Sequence, residues 1–294
     1  MNLTCYKKYF NLQDATFTRI EHPDAIVADV YKITESSGKE LILKICSRPQ
    51  DFFKELYFLN YFTGKLPVPH IIRSFEPQAD ITGAILMECL PGAILKITEV
   101  TDSLAFEMGS LLARINQNRT TGYGNFIAPD SLVSNPTLYF AQKFEERFSE
   151  CKDHLPLTLM GQCRQYYNAH IELLDTVDGP CIIHGDFRPG NIIAHNGRLQ
   201  GIIDWSSTRS SFAEESFCPL EHAEWSIHSA SKKSFLAGYA SIRPVPDYQH
   251  IMPLLRISRA LDIIGFTLKR NTWQNKHNKL YHFNRQFLES FLKN

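Results

Sequence analysis

Between His184 and Asn191 the chain reads His-Gly-Asp-Phe-Arg-Pro-Gly-Asn, and thirteen residues beyond that asparagine an apolar run, Ile202-Ile203, ends in Asp204-Trp205. An H-x-D-x-x-x-x-N loop followed by a strand ending in Asp supplies the groups that phosphoryl transfer asks of a protein. One carboxylate must reach an acceptor hydroxyl, while an amide oxygen and a second carboxylate hold Mg²⁺ against nucleotide phosphates. On this reading Asp186 is the base or orienting group. Asn191 and Asp204 are the metal ligands, because Mg²⁺ prefers hard oxygen donors and takes only one or two carboxylates from the protein.

These groups need elements to bring them together. Pro180-Cys181-Ile182-Ile183 is a short apolar run that delivers the chain to the loop, and Pro189-Gly190 is turn chemistry. Asn191-Ile192-Ile193-Ala194 resumes a strand, Asn196-Gly197 marks a hairpin turn, and Leu199 to Trp205 is the predicted return strand. That hairpin sets Asp204 beside the loop holding Asp186. The pattern alone also arises by chance in unrelated loops, so the rest of the chain must supply its context.

That context resembles the aminoglycoside phosphotransferase and choline kinase-like superfamily, the small-molecule branch of the protein-kinase-like fold, over most of the chain. The resemblance implies an α+β, two-lobe, protein-kinase-like fold. Residues 1–88 would form a small antiparallel-sheet lobe that binds nucleotide, and residues 89–294 a larger, mainly helical lobe for catalysis and substrate. Where protein kinases carry an Arg that reads a phosphorylated loop, this chain has Gly185, as the antibiotic kinases do, so no phosphorylation switch is implied. Arg188 stands where protein kinases place a Lys that steadies the transferring phosphoryl group. It is read either as a catalytic cation or as a salt-bridge partner that structures the loop.

The same resemblance assigns residues upstream. Glu40 to Ile45 is a predicted strand after the turn signal Ser36-Ser37-Gly38, with Lys44 near its end. In the superfamily such a lysine contacts the nucleotide α and β phosphates and is held by a helix carboxylate. The predicted helix Asp51 to Phe62 offers Glu55 at the family position, with Asp51 one turn earlier as the weaker candidate. Leu66-Pro67-Val68-Pro69-His70-Ile71-Ile72 leads into the next strand. Ala84 to Gly92 resembles the segment joining the lobes, where the Glu88 carbonyl and the Leu90 N–H would meet adenine and Met87 would line the back of the pocket.

Two segments depart from the family pattern. Kinase-like folds drape a Gly-rich turn over the phosphates, yet residues 1 to 37 hold no glycine, and the turn at Pro23 to Ala28 precedes the second predicted strand, Val30 to Ile33. After Asp204 the relatives continue to an Asp that braces the catalytic loop. Here Ser206 to Phe217 offers Glu214 or Glu215 instead, unless Ser210 or Ser211 simply caps a helix with an acidic first turn.

Composition bounds the remaining possibilities. The 294 residues are 44% hydrophobic and 21% charged, with 31 Lys and Arg balancing 31 Asp and Glu, so neither a disordered chain nor a generic nucleic-acid binder is expected. No run reaches the 18 or so apolar residues of a membrane span, and Met1 to Lys8 lacks an apolar signal region. Seven scattered cysteines show no metal-ligand spacing and read as free thiols of a reducing cytoplasm. Helical periodicity is predicted for Asp102 to Gln117, with Asp102 as cap, and for Pro136 to Cys151 and Leu157 to Val177. From Ser231 onward eleven Lys and Arg face three acids, a net charge of +8 read either as solvated helix faces or as a surface that suits polycationic acceptors poorly unless Glu214, Glu215, Glu221 and Glu224 line their cleft.

The expected reaction is therefore transfer of the γ-phosphoryl group of ATP or GTP, with Mg²⁺, to a hydroxyl of a small molecule. No nucleic acid, membrane or obligate protein partner is expected. Choline and ethanolamine kinases carry Asn where Gly185 stands and an aromatic-Glu pair after the metal Asp, whereas Trp205-Ser206 follows here. Antibiotics, sugars, fructosamine-like adducts and amino alcohols stay open. The competing reading is a non-catalytic, kinase-like module that binds nucleotide or ligand.

Overall fold

The computed structural model describes residues 3–21, 28–125, 127–225 and 229–293. The unusual turn at Pro23 to Ala28 lies outside them except for Ala28. A sheet-bearing N-terminal lobe and a mostly helical C-terminal lobe make up the fold.

The N-terminal sheet contains β1 (Thr16–Arg19), β2 (Ala28–Thr34), β3 (Glu40–Cys46), β4 (Ile71–Phe75) and β5 (Ala84–Glu88), all antiparallel, in the order β1-β2-β3-β5-β4. Strand alternation explains its two faces. Leu41, Leu43 and Ile45 are buried with Ile33, Phe75 and Leu86 under Tyr6 of the short helix α1 (Thr4–Tyr9). The intervening Ile42 and Lys44 must then point to the opposite face. There Ile42 pairs with Lys32 and Met87, and Lys44 with Val30 and Ile85. Helix α2 (Pro49–Phe62) begins with Pro at a first-turn position, where its missing N–H costs nothing. It buries Phe52, Glu55, Phe58, Leu59 and Phe62 at helical intervals.

Strand β6 (Ala93–Ile94) pairs with β8 (Ile192–His195), which pairs with β9 (Arg198–Ile202). The β8–β9 turn has Asn196 at φ 49° and Gly197 at φ 72°, the left-handed pair of a type I′ hairpin. The return strand stops at Ile202 rather than reaching Trp205, because Asp204 turns to φ 64° and a 3₁₀ turn, Trp205–Ser207, follows. Helix α3 (Asp102–Asn116) is capped by Thr101, whose Oγ1 accepts from the Leu104 N–H at 3.2 Å; Asp102, the expected cap, instead accepts from Ser234.

By packing, the described residues form two compact units. One holds those up to Arg114 with 184–208 and 231–239, and the other holds 115–183, 209–230 and 240–293. Strand β5 ends at Glu88, and the first unit continues past it to Arg114, where β6 joins β8 and the Leu199 N–H donates to Glu107 of α3.

In the second unit β7 (Cys181–Ile183) pairs with β10 (Arg209–Ser211). Helices α4 (Pro136–Cys151), α5 (Leu157–His170), α7 (Met252–Lys269) and α8 (Asn278–Phe291) form its helical body, while α6 (Lys232–Ala240) lies mainly in the first unit. The helix predicted for Leu157 to Val177 ends at His170, whose ring Nδ1 engages the Tyr166 carbonyl at 2.7 Å, and continues as the 3₁₀ segment Ile171–Thr176. Neither Ser210 nor Ser211 caps a helix: both belong to β10, and Ser211 donates to Glu215. Glu214 accepts the Asp178 N–H at 3.0 Å and Glu215 pairs with Arg209 at 2.6 Å.

Candidate active site

The loop from His184 to Asn191 is fixed from inside. Gly185 sits at φ 80°, a left-handed conformation in which a side chain would be strained, so the residue that distinguishes this loop from a protein kinase's is also dictated by the backbone. His184 is fully buried; its Nε2 meets the Ile203 carbonyl at 3.1 Å, which ties the segment before Asp204 to the loop. Burial lowers the His184 pKa, leaving it neutral with the proton on Nε2. The Ile203 N–H donates in turn to the Asn191 carbonyl at 3.0 Å.

Asp186 receives two donors on one oxygen. Asn191 Nδ2 reaches Oδ2 at 2.9 Å and the Asp186 backbone carbonyl at 2.7 Å, while Arg188 Nε reaches Oδ2 at 3.0 Å. With its NH₂ committed to Asp186, the asparagine keeps its amide oxygen for another partner. The Arg188 guanidinium lies against Gly190, where an added Cβ would come within 2.4 Å of it.

Lys44 is held between two carboxylates, with Nζ 2.9 Å from Glu55 Oε2 and 2.9 Å from Asp204 Oδ1. Asp51 is not its partner and pairs with Arg48 at 2.8 Å. Glu55 Oε2 also accepts the Trp205 N–H at 2.8 Å, and the Trp205 ring lies 4.8 Å from Phe62 and 6.3 Å from Phe58, so α2 and the segment after Asp204 are joined by polar and aromatic contacts together. Burial opposes the charge on Lys44, but Asp204 and Glu55 outweigh it and raise the pKa. Burial raises Glu55, and Lys44 offsets only part of that. For Asp204 burial acts upward too, yet Lys44 and Ser206 hold the carboxyl down at about 2. Ser206, whose Oγ donates to Asp204 Oδ1 at 2.9 Å, escaped the sequence reading, although a serine two residues past an aspartate is a recognisable local turn signal.

A cavity of about 320 Å³ gathers most of these groups. Lys44, Glu55, Arg188, Asn191 and Asp204 line one side, and Met87, Glu88, Cys89 and Leu90 another, with Val30, Ile42, Ile94, Ile193 and Ile203 giving it an apolar interior. Asp186 does not line this cavity but is hydrogen-bonded to Asn191 and Arg188, which do. The apolar floor was not singled out in the sequence, because Ile193 and Ile203 read there only as strand residues. Gly92, at φ 107°, and Gly201 allow close approach, since a Cβ would meet the Ala194 carbonyl oxygen at 2.1 Å and Leu90 at 2.5 Å respectively.

The donor set fits Mg²⁺ held jointly with phosphate. Asn191 and Asp204 contribute one amide oxygen and one carboxylate to the same cavity, and among the described residues no cluster of three or more His, Cys, Asp or Glu forms an all-protein metal cage. No helix among the described residues is long and apolar enough to cross a membrane.

Comparison with known proteins bears on the family and the fold. Residues 20–214 match the family model described as the phosphotransferase enzyme family, APH. A hygromycin-B 4-O-kinase of Escherichia coli is 22% identical over 187 residues, 58% of this chain and 52% of that protein, so the chain aligns with about half the length of this relative. A thermostable mutant of aminoglycoside phosphotransferase APH(4)-Ia, solved in ternary complex with AMP-PNP and hygromycin B, superposes with a TM-score of 0.74 at 12% identity over 99% of this chain and 98% of that one. A microcompartment-associated aminopropanol kinase superposes with a TM-score of 0.71 at 16% identity over 99% and 98%. These structures share the fold, and the family match spans about two thirds of the sequence: the chain belongs to the phosphotransferase enzyme family.

Proposed function

We propose that this protein transfers the γ-phosphoryl group of ATP or GTP to a hydroxyl of a small molecule. The observation that carries the reading is the position of Lys44 between Glu55 and Asp204, in one cavity with Asn191, whose side chain also holds Asp186. Met87, Glu88 and Leu90 would receive the base, the Glu88 carbonyl and Leu90 N–H through their backbone, and Lys44, aligned by Glu55, would meet the phosphates. Asn191 and Asp204 would hold Mg²⁺, which when bound neutralises phosphate charge. Asp186 would orient the acceptor hydroxyl and take up its proton as the oxygen attacks. Arg188, next to Asp186 and inside the cavity, would steady both that carboxylate and the transferring group. Catalysis on this scheme is positioning and charge stabilisation, with no covalent intermediate on the protein.

The acceptor is an aminoglycoside-like antibiotic, a sugar, a fructosamine-like adduct or an amino alcohol, the first and last being the classes that the names of its relatives carry. We place residues 1–88 as the nucleotide lobe and 89–294 as the catalytic and substrate lobe. The seven free thiols, five of them buried, support a reducing, cytoplasmic setting. Incubating the protein with Mg²⁺ and ATP or GTP against a panel of hydroxyl compounds, and weighing the products by mass spectrometry, tests the proposal. A mass gain of one phosphate on a panel member is expected. Absence of any phosphorylated product together with absence of nucleotide binding would overturn it in favour of a binding module.

A further inference from the structure

The acids of the helical unit are largely matched to internal partners. Asp262 lies 3.4 Å from Arg147, Glu289 2.8 Å from Arg285, Asp247 3.4 Å from His250 and Glu215 2.6 Å from Arg209. Arg256 of α7 is different. Half-buried, it makes no ion pair or hydrogen bond among the described residues, its Nε is buried without a partner, and its guanidinium lies 4.6 Å above the Phe287 ring. Leaving a guanidinium partly desolvated and unpaired is costly.

His222 stands at the edge of the same ring. It is 1% exposed, its ring centroid is 4.8 Å from that of Phe287, and it occupies the π-helical turn Leu220–Glu224, a geometry that recurs at functional sites. Asn284 Nδ2 donates to the Leu280 carbonyl, so Asn284 Oδ1 faces His222 Nε2 at 2.8 Å and that nitrogen carries the proton. His222 Nδ1 is then a buried acceptor, and no donor reaches it among the described residues.

A donor without an acceptor and an acceptor without a donor thus flank one aromatic ring. Buried orphans of this kind are rare and ask for a water, an ion or a ligand. A guanidinium fork matches carboxylate or phosphate, and a neutral imidazole nitrogen accepts from an O–H or N–H. We propose that Arg256 and His222 form a binding site for a small molecule bearing a carboxylate or phosphate, with a neighbouring hydroxyl or amine that donates to His222 Nδ1. The charged groups around the pair are Arg259, whose field reaches His222, and Glu221, whose field reaches both Arg256 and the Tyr248 phenol.

The test uses the full chain without nucleotide in chloride buffer, with inorganic phosphate, glycerate and glycerol as probes. At ~100-fold excess over its dissociation constant, a ligand of the folded state raises Tm by a few degrees. Phosphate and glycerate are expected to do so, glycerate at the lower concentration, and glycerol is not. Arg256→Met, which keeps the apolar stem over Phe287, is expected to abolish both responses; Arg256→Lys, which keeps the charge and loses the fork, is expected to weaken them about tenfold and serves if the first variant does not fold. No response to either anion in the wild type would overturn the site. A response unchanged in the Arg256 variants would mean an adventitious ion only and would overturn it equally. Because nucleotide is absent, failure here leaves the phosphotransferase reading standing, and anion binding without any phosphorylated product leaves the site standing alone.

Discussion

Asp186 is oriented before any substrate arrives. Two donors on Oδ2, from Asn191 and Arg188, fix the plane of its carboxylate, and the metal-ligand candidate Asn191 is thereby coupled to the candidate base. Replacing Asp186 with Ala removes a quarter-exposed side chain and should leave the melting temperature close to wild type. Turnover should fall by roughly two to four orders of magnitude, the usual worth of a general base or hydroxyl-orienting group. Initial rates on an accepted substrate check this, and near wild-type rates would remove Asp186 from the mechanism. His222 gives a prediction in pH. Burial holds its pKa down at about 4, below the ordinary value near 6.5, so the unfolded chain binds a proton that the folded one refuses between those values. Its contribution to stability is full above pH 6.5 and declines as pH falls towards 4, by up to about 3 kcal/mol. Urea midpoints at pH 7 and pH 4.5 should separate less in His222→Gln than in the wild type; equal separations would show that another group sets the acid limit.

At the scale of elements, glycine placement decides how closely strands and loop approach. Gly92 combines φ 107° with an Ala194 carbonyl oxygen where its Cβ would be, at the point where β6 meets β8. Gly92→Ala should cost about 1–3 kcal/mol, because the left-handed backbone and the clash with a hydrogen-bonded strand cannot both be relieved. A lowered urea midpoint with an unchanged slope is the expected signature. An unaltered midpoint would mean that β6 can shift without loss. Strand alternation was readable here because Leu41, Leu43 and Ile45 recur at period two, which forces Lys44 to the other face. The end of β9 was not, because Ile202-Ile203-Asp204-Trp205 remains strand-like in composition and only the left-handed turn at Asp204 stops it.

For the whole molecule the nucleotide is the decisive ligand. Binding to the folded state at ~100-fold excess over Kd contributes about 2.7 kcal/mol, which in a chain of this size moves Tm by a few degrees. Such a shift is expected with millimolar Mg²⁺-ATP or Mg²⁺-GTP, and it should shrink in Lys44→Ala. That variant should also melt lower without nucleotide, since Glu55 and Asp204 lose the cation that compensates them. Differential scanning fluorimetry reads both effects. If neither nucleotide stabilises the wild type, the module reading becomes the better account.

The sequence by itself determined the groups and their local setting. H-x-D-x-x-x-x-N, the hairpin at Asn196-Gly197 and the strand lysine are written in residue types whose backbone and side-chain preferences act over a few positions. It also determined the family, since residues 20–214 carry the family's pattern. The resemblance already pointed to Glu55 as the partner of Lys44, but tertiary structure alone decided that Asp204, 160 residues away in the chain, is its second partner and that the Trp205 N–H closes on Glu55. It also decided that Glu214 and Glu215 are spent on Asp178 and Arg209, and that Arg256 and His222 meet one ring. The reason is physical: local preferences fix φ, ψ and alternation, but which buried charge finds which partner depends on long-range packing, and no local pattern in this chain encodes it.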